Sequence, residues 1–436
     1  MQPTAVLKND PKLIRSWAMF DWANSSYSLV ISSAVFPAYF AAVTDKTIQV
    51  GNSIMPNSAY FTFTISIAYI FVALGLPILS GIADYSGKRL YFLKLFTLIG
   101  SIACISLYYF KGMSTLWLGT LGFMVASIGF TSSLVFYNSF LPVISTEDRY
   151  DHTSARGFAY GYIGSVLLLI INLVVIKFHS SLGIQEESSA VRLAFVMVGL
   201  WWFFFAQIPF RKLPPDSQEK FEKGIWSKGY QELLNVWQRL KNQKSLRRFL
   251  LAFFFYSAGV QTVLYLAATF ASDELKFGGS ELVLIILILQ LVGLVGANFF
   301  AWLSRLKGNK FVLLIMLSLW IVVCIGAYFT YTKTAFYFVA SGVGLVMGGI
   351  QALSRSSYSK LLDDDEVDVT SYFSFYDVLE KLAIVAGTLS FGYINVLSGG
   401  MRNSVLVLII YFAIGIFILS TVDMSMAKRE IKMKHK

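Results

Sequence analysis

Residues 80–89 read SGIADYSGKR, and 221 positions after Gly87 the stretch 305–310 reads RLKGNK around Gly308. Both are short basic turns built on a glycine, and each follows an apolar run long enough to cross a bilayer. Two further residues repeat at nearly the same interval, since Cys104 and Cys324 lie 220 positions apart, each inside an apolar run. Between the two turns falls the longest polar stretch, Arg211–Arg248, with Pro214-Pro215 and ten of the 36 basic residues. An echo on either side of a central polar linker predicts a duplicated helical bundle. Parallel repeats of this kind are the plan of membrane carriers that rock about a midplane site.

Composition leads to the same class. Of the 436 residues 56% are hydrophobic and only 14% charged, whereas soluble domains carry about 25% charged residues. A helical crossing needs ~20 apolar residues, so twelve crossings take up ~240, just over half the chain. Twelve runs can be marked: about 16–42, 59–80, 90–110, 114–143, 157–178 and 190–210, then 249–271, 281–303, 311–331, 334–357, 382–398 and 403–423. They are too long, and lack the alternation, for strands of a membrane barrel. The fold class expected is all-α integral membrane, with twelve transmembrane helices in two pseudo-symmetric six-helix bundles. The domains expected are a bundle over 1–210, a linker over 211–248 and a bundle over 249–436. In the linker, Trp226, Tyr230, Leu233, Trp237 and Leu240 have helical spacing, which suits an amphipathic helix in the membrane interface as well as a solvated one.

Orientation follows from the basic residues. With the N-terminus inside, the inner segments hold 29 of the 36 and the outer ones seven, the asymmetry that retention of positive charge on the cytoplasmic side produces. Both termini are expected in the cytoplasm, and the +11 net charge reads as topology rather than nucleic-acid binding. The first run is too long for a signal peptide and is interrupted by Asp21, so it reads as an uncleaved span. Neither the three histidines, far apart at 152, 179 and 435, nor the two cysteines have metal-ligand spacing. Ile82 and Arg89 exclude a phosphate-binding loop. No metal, cofactor or ATP-driven step is expected.

An acid in a span costs about 2.5–3.5 kcal/mol on the insertion scale, so it faces the protein interior. Asp21, with Asn24, Ser25, Ser28 and Ser32 at offsets of 3, 4, 7 and 11, forms a polar stripe on an α-helix. The stripe suits a wall facing water or substrate; interhelical hydrogen bonding is the alternative. Asp21 serves either as a proton carrier or as a fixed counter-charge for a cationic amine. Weaker stripes occur at Ser127, Thr131 and Asn138 in span four, at Tyr256, Gln261, Tyr265 and Thr269 in span seven, and at Gln351, Ser354, Arg355 and Tyr358 in span ten. Arg355 can hold a substrate carboxylate through two parallel bonds, or pair with Asp377 or Glu380. Gly157, Gly161 and Ser165, and Gly344 and Gly348, have the four-residue spacing that lets helices approach closely.

The run Ser80–Arg89 resembles the loop signature of the major facilitator superfamily, with Ser80 where glycine is usual. Further motifs resemble that superfamily's vacuole-effluxer-like subfamily: Phe20-Asp21-Trp22-Ala23-Asn24-Ser25, Gly157-Phe158-Ala159-Tyr160-Gly161-Tyr162-Ile163-Gly164, Trp201-Trp202 and Gly348-Gly349-Ile350-Gln351-Ala352-Leu353-Ser354-Arg355-Ser356. Its fungal members release amino acids from the vacuole. The family often has an acid before the span-seven glycine, where this chain reads Tyr256-Ser257-Ala258-Gly259.

The resemblance implies that spans one, four, seven and ten line a central cavity, and that Asp84, Gly87, Lys88 and Arg89 belong to an inner gate. There Asp84 can accept from a helix N-terminus, and Lys88 and Arg89 can pair with acids such as Asp377 or Glu380. The reading is a secondary transporter of a small polar solute, amino acids first, with a proton as the candidate coupling ion. It is expected to act as a monomer in a bacterial plasma membrane. An integral membrane enzyme would need a second acid or His/Cys cluster beside Asp363–Glu366. A sensor would need an output domain beyond the 15 residues before span one or the 13 after span twelve.

Overall fold

The computed structural model describes residues 7–51, 53–217, 224–362, 368–398 and 401–424. The acidic run 363–366 and His435 therefore lie outside the described residues. Among the described residues the regular structure is helical, apart from one hairpin of strands Thr47–Val50 and Ser53–Pro56, with Thr47 opposite Pro56. This hairpin fills the connection between the first two long helices.

Within a bilayer every backbone N–H and C=O must be satisfied internally, so apolar runs of this length become helices. Among the described residues, eleven helices are long and apolar enough to cross: Pro11–Val43, Asn57–Ser86, Arg89–Tyr109, Met113–Ile144, Glu147–Lys177 and Glu187–Phe210, then Lys244–Ser272, Glu281–Lys307, Asn309–Tyr328, Lys333–Leu361 and Met401–Ser420. The remaining expected run, 382–398, lies inside the 30-residue helix Val369–Ser398, whose Asp377, Glu380 and Lys381 dilute its hydropathy. In chain order these are helices one to twelve, Val369–Ser398 being helix eleven. Helix five starts ten residues before the expected run and helix eleven thirteen before it. In both cases the extension is polar sequence that a hydropathy reading assigns to a loop.

Helix one is α-helical over Pro11–Ser26, π-helical over Tyr27–Val35 and α-helical again over Phe36–Val43. The wider π turns change the period within the expected stripe. Asp21 and Asn24 are buried and Ser25 half-buried, but Ser28 is exposed and Ser32 half-buried. A 3.6-residue period does not carry through a stretch paired i to i+5.

Two compact units emerge, one of Pro11–Asn138 with Tyr160–Gly229, the other of Met1–Asp10, Ser139–Ala159 and Tyr230–Lys436. The changeover falls at Gly229–Tyr230, inside the linker helix Ile225–Asn242, rather than at 210 and 248. Residues 139–159 cluster with the C-terminal unit. In the N-terminal unit the largest buried side chains include Trp17, Phe20, Tyr27, Phe36, Phe123 and Trp202, and in the C-terminal unit Tyr256, Trp320, Tyr358 and Tyr372. Large apolar side chains such as Leu74, Phe204, Phe338, Leu389 and Phe417 are exposed, as faces that meet acyl chains should be.

Candidate functional site

In the N-terminal unit the centre is Asp21. Its Oδ2 accepts a 2.7 Å hydrogen bond from the Tyr137 hydroxyl. Trp17 stacks on the Tyr137 ring at 4.4 Å and donates its indole N–H to the Tyr137 carbonyl at 3.1 Å, and Phe20 covers the ring at 4.8 Å. Helix one thus grips helix four at Tyr137 by an acid and two rings. One turn on, Asn24 is 1% exposed, and among the described residues neither its amide nitrogen nor its oxygen has a hydrogen-bond partner, a costly arrangement in an apolar interior. Tyr27 and Ser127 share a 2.7 Å bond between the same two helices. Thr131 is buried and Asn138 half-buried. Gly161 comes so close to Ser25 that a Cβ there would stand 2.5 Å from the Ser25 hydroxyl, which fits the small-residue reading.

In the C-terminal unit the polar side chains gather on helices seven, ten and eleven. Gln261 donates to Glu380 Oε1 at 3.0 Å. Lys381 Nζ stands 2.8 Å from Glu380 Oε2 and 3.4 Å from Asp377 Oδ1. Asp377 and Lys381 are 6% and 7% exposed, and Asp377 Oδ2 is buried without a hydrogen-bond partner. Glu380 and Lys381 lie 11 and 12 residues into helix eleven, or ~17–18 Å along its axis. Tyr256 shares a 2.8 Å bond with Ser354, Gln351 is half-buried, and Tyr265 is 37% exposed. Arg355 sends its Nε to the Ser154 hydroxyl at 2.9 Å and its Nη2 to the Ser154 carbonyl at 2.8 Å. Its guanidinium lies 4.4 Å over the Phe158 ring.

Near Arg355 a second network closes around Asp151, at the start of helix five. Its carboxylate accepts from Lys360 Nζ at 2.6 Å, Asn309 Nδ2 at 2.7 Å and the Ser304 hydroxyl at 2.9 Å. Lys360 also donates to Asn309 Oδ1 at 2.9 Å. The first turns of helix five are thereby tied to the ends of helices eight, nine and ten that flank the 305–310 turn.

The signature loop has its own arrangement. Gly87 closes helix two at φ +64°, in the left-handed region, and its N–H returns to the Asp84 carbonyl. The buried Asp84 carboxylate pairs with Arg89 at 3.0 Å. The N-terminus of helix three is capped by Asp216 from the linker, which accepts from the N–H groups of Leu90 and Tyr91 at 2.7 Å each. Lys88 donates to the Ser217 carbonyl at 3.1 Å.

The linker helix buries Gly229, Val236 and Leu240 and leaves Trp226, Tyr230 and Trp237 exposed. Arg239 Nη1 anchors it to Asp368 at 2.5 Å. Burial and the adjacent Glu232 push the Asp368 carboxyl up to about 6, against the pull of Arg239. The folded chain therefore holds a proton that an ordinary carboxyl near ~3.9 releases on unfolding. That contribution is present at low pH and is lost as pH rises through about 6. Thermal unfolding of the wild type between pH 4.5 and 7.5 should show a fall of about 2–5 °C from this group, and Asp368→Asn should flatten it.

Tyr137, Lys381, Asp151, Ser154, Asn309 and Lys360 were not among the residues expected from sequence. A signal existed for Asn309, which directly follows the glycine of RLKGNK, the partner turn of DYSGKR. For the others the contacts are made across the fold, and no local spacing announces them.

The profile of the family described as "Vacuole effluxer Atg22 like" matches residues 9–155 and 146–432. The chain is 34% identical over 418 residues to "Uncharacterized MFS-type transporter YxiO" of Bacillus subtilis, covering 96% of each. It belongs to the Atg22-like effluxer family. Autophagy-related protein 22 of Kluyveromyces lactis is 23% identical, over 88% of this chain and 83% of that one. Among solved structures, the major facilitator transporter FucP in its outward conformation superposes with a TM-score of 0.70 at 13% identity, covering 95% of this chain and 99% of that one. A bacterial homologue of the iron transporter ferroportin gives 0.65 at 14%, covering 95% and 99%. At such identities these structures establish the major facilitator fold alone. This Atg22-like chain is a multi-pass membrane transporter and not an enzyme.

Proposed function

We propose that this Atg22-like transporter moves a small polar solute, with amino acids first among candidates, by alternating access of its two bundles, coupled to a proton. Asp21 carries the reading. An acid held in an apolar interior by a tyrosine hydroxyl, one turn from an amide with unused hydrogen-bonding capacity, is expensive to keep unless it meets a cationic or protic partner. Asp21 would take the ammonium of an amino acid or the coupling proton. Gln351, Gln261 and Tyr256 offer hydrogen bonds in the other bundle, and Arg355 or Lys381 a positive charge for the carboxylate. Asp84, Gly87, Lys88 and Arg89, with the acids Asp377 and Glu380, would serve as the inner gate. The membrane is the bacterial plasma membrane, with both chain ends inside and a monomer as the working unit.

The test is uptake into proteoliposomes from a labelled amino-acid panel, with and without an inward proton gradient, for wild type, Asp21→Asn and Arg355→Ala. The wild type should accumulate at least one amino acid in response to the gradient, and Asp21→Asn should lose at least tenfold in rate. Equal rates with and without the gradient would replace coupling by facilitated diffusion. Retained uptake in both variants would remove the two-charge site.

A further inference from the structure

At the end of the C-terminal unit that carries the 305–310 turn, a cavity of about 430 Å³ opens between Glu147, Lys307, Gly308, Asn309, Lys310, Phe311, Leu314, Lys360 and Met424. This is within the ~300–1,000 Å³ of small-molecule sites. Its wall carries three ammonium groups, and two are fixed in place. Lys310 is held by the carbonyls of Ser420 and Val422 at 2.6 and 2.7 Å, and Lys360 by Asp151 and Asn309 at 2.6 and 2.9 Å. Lys307 is exposed. Glu147 stands on the wall, Asp151 behind Lys360 and Asp423 between Val422 and Met424, so the wall's positive charge lies in the ammonium groups of Lys307 and Lys310. The first turn of helix nine, whose N-terminal dipole favours anions, adds to it.

The surroundings decide which anion. On the outer face of helix eight, Val295, Phe299, Trp302 and Leu306 are 60, 45, 55 and 60% exposed. On helix nine, Phe311, Val322 and Ile325 are 50, 62 and 43% exposed. Each set repeats at three, four, seven or eleven positions, so it forms one strip along its helix, and both strips lead away from the cavity. A positive pocket continuous with an apolar track matches an amphiphile whose charged head and acyl chains need both. We infer that this cavity binds the phosphate of an anionic phospholipid, with the acyl chains along helices eight and nine. The inference does not depend on the transported solute.

The test titrates delipidated transporter in detergent with phosphatidylglycerol and counts retained lipid by native mass spectrometry. Wild type should keep phosphatidylglycerol at least fivefold better than phosphatidylcholine, and Lys307→Gln with Lys310→Gln should lose that preference. Lys212→Gln with Lys241→Gln, an equal loss of charge in the linker, should keep it. Inorganic phosphate in large excess should not displace the lipid. Unchanged retention in the cavity variant, or equal retention of the two lipids, would overturn the proposal, and displacement by inorganic phosphate would turn the cavity into a soluble-anion site. Should the double variant elute as aggregate, Lys307→Gln alone, at an exposed position, and Phe311→Ser, on the acyl track, are read in its place. Each should weaken lipid retention at least twofold, and full retention in both would overturn the proposal.

Discussion

Lys381→Met should abolish transport and cut the yield of monodisperse protein several-fold. Lys381 is 7% exposed and lies within 2.8 Å of Glu380 and 3.4 Å of Asp377. Without its ammonium, two carboxylates remain together in an apolar interior, and Asp377 already has one oxygen buried without a partner. Removing one member of a buried ion pair costs about 3–5 kcal/mol, because the uncompensated charge stays behind. That is a large share of the about 5–15 kcal/mol by which folded proteins are stable. Combining Lys381→Met with Asp377→Asn and Glu380→Gln should restore yield without restoring transport. Recovery of yield separates a charge effect from lost packing; a triple variant as poor as the single one would assign the role of Lys381 to its methylene chain.

The second large effect is expected at the weld between helices eight and ten. A Cβ on Gly348 would overlap the carbonyl oxygen of Gly293, and one on Gly344 would stand 2.8 Å from the carbonyl oxygen of Leu289. Backbone occupies the space, so no rotamer change relieves the clash. Overpacking a close contact costs about 1–3 kcal/mol per modest insertion, and two helices would have to separate along their length. Gly348→Val should reduce folded, detergent-stable protein at least tenfold, measured by fluorescence-detected size exclusion, with Gly348→Ala intermediate. The contrast comes from Gly392, which has open space around its missing Cβ, so Gly392→Ala should express as the wild type does.

Both results bear on what sequence alone reveals. The apolar runs, the repeat of the glycine turns and the central linker were legible because each is a local pattern with a fixed length or interval; a duplicated helical membrane bundle follows from them, and the resemblance of Ser80–Arg89 supplied the major facilitator superfamily. Asp21 was legible for a similar reason, an acid being conspicuous among apolar neighbours. Its partner Tyr137 was not, because a tyrosine near the end of an aromatic-rich span looks like any other. Lys381 was hidden by the reverse effect: Asp377 and Glu380 read as gate acids, and a lysine beside them passed for one more positive-inside residue. Asp151 and Ser154 fell in sequence polar enough to be taken for a loop. They are helical and buried because Lys360, Asn309, Ser304 and Arg355 arrive from distant helices to satisfy them.

The π-helical stretch Tyr27–Val35 divides the first span into two segments that are out of phase. Each wide turn takes in about one more residue than an α turn, so a side chain above the stretch points elsewhere than a helical wheel drawn from Asp21 would place it. Deleting one residue between Tyr27 and Val35 would convert a wide turn to a narrow one and swing Phe36, Tyr39 and Phe40 around the axis, out of the aromatic cluster they form with Phe110 and Phe195. The last quarter of the span is thus keyed to its surroundings by the count of residues before it as much as by their identity.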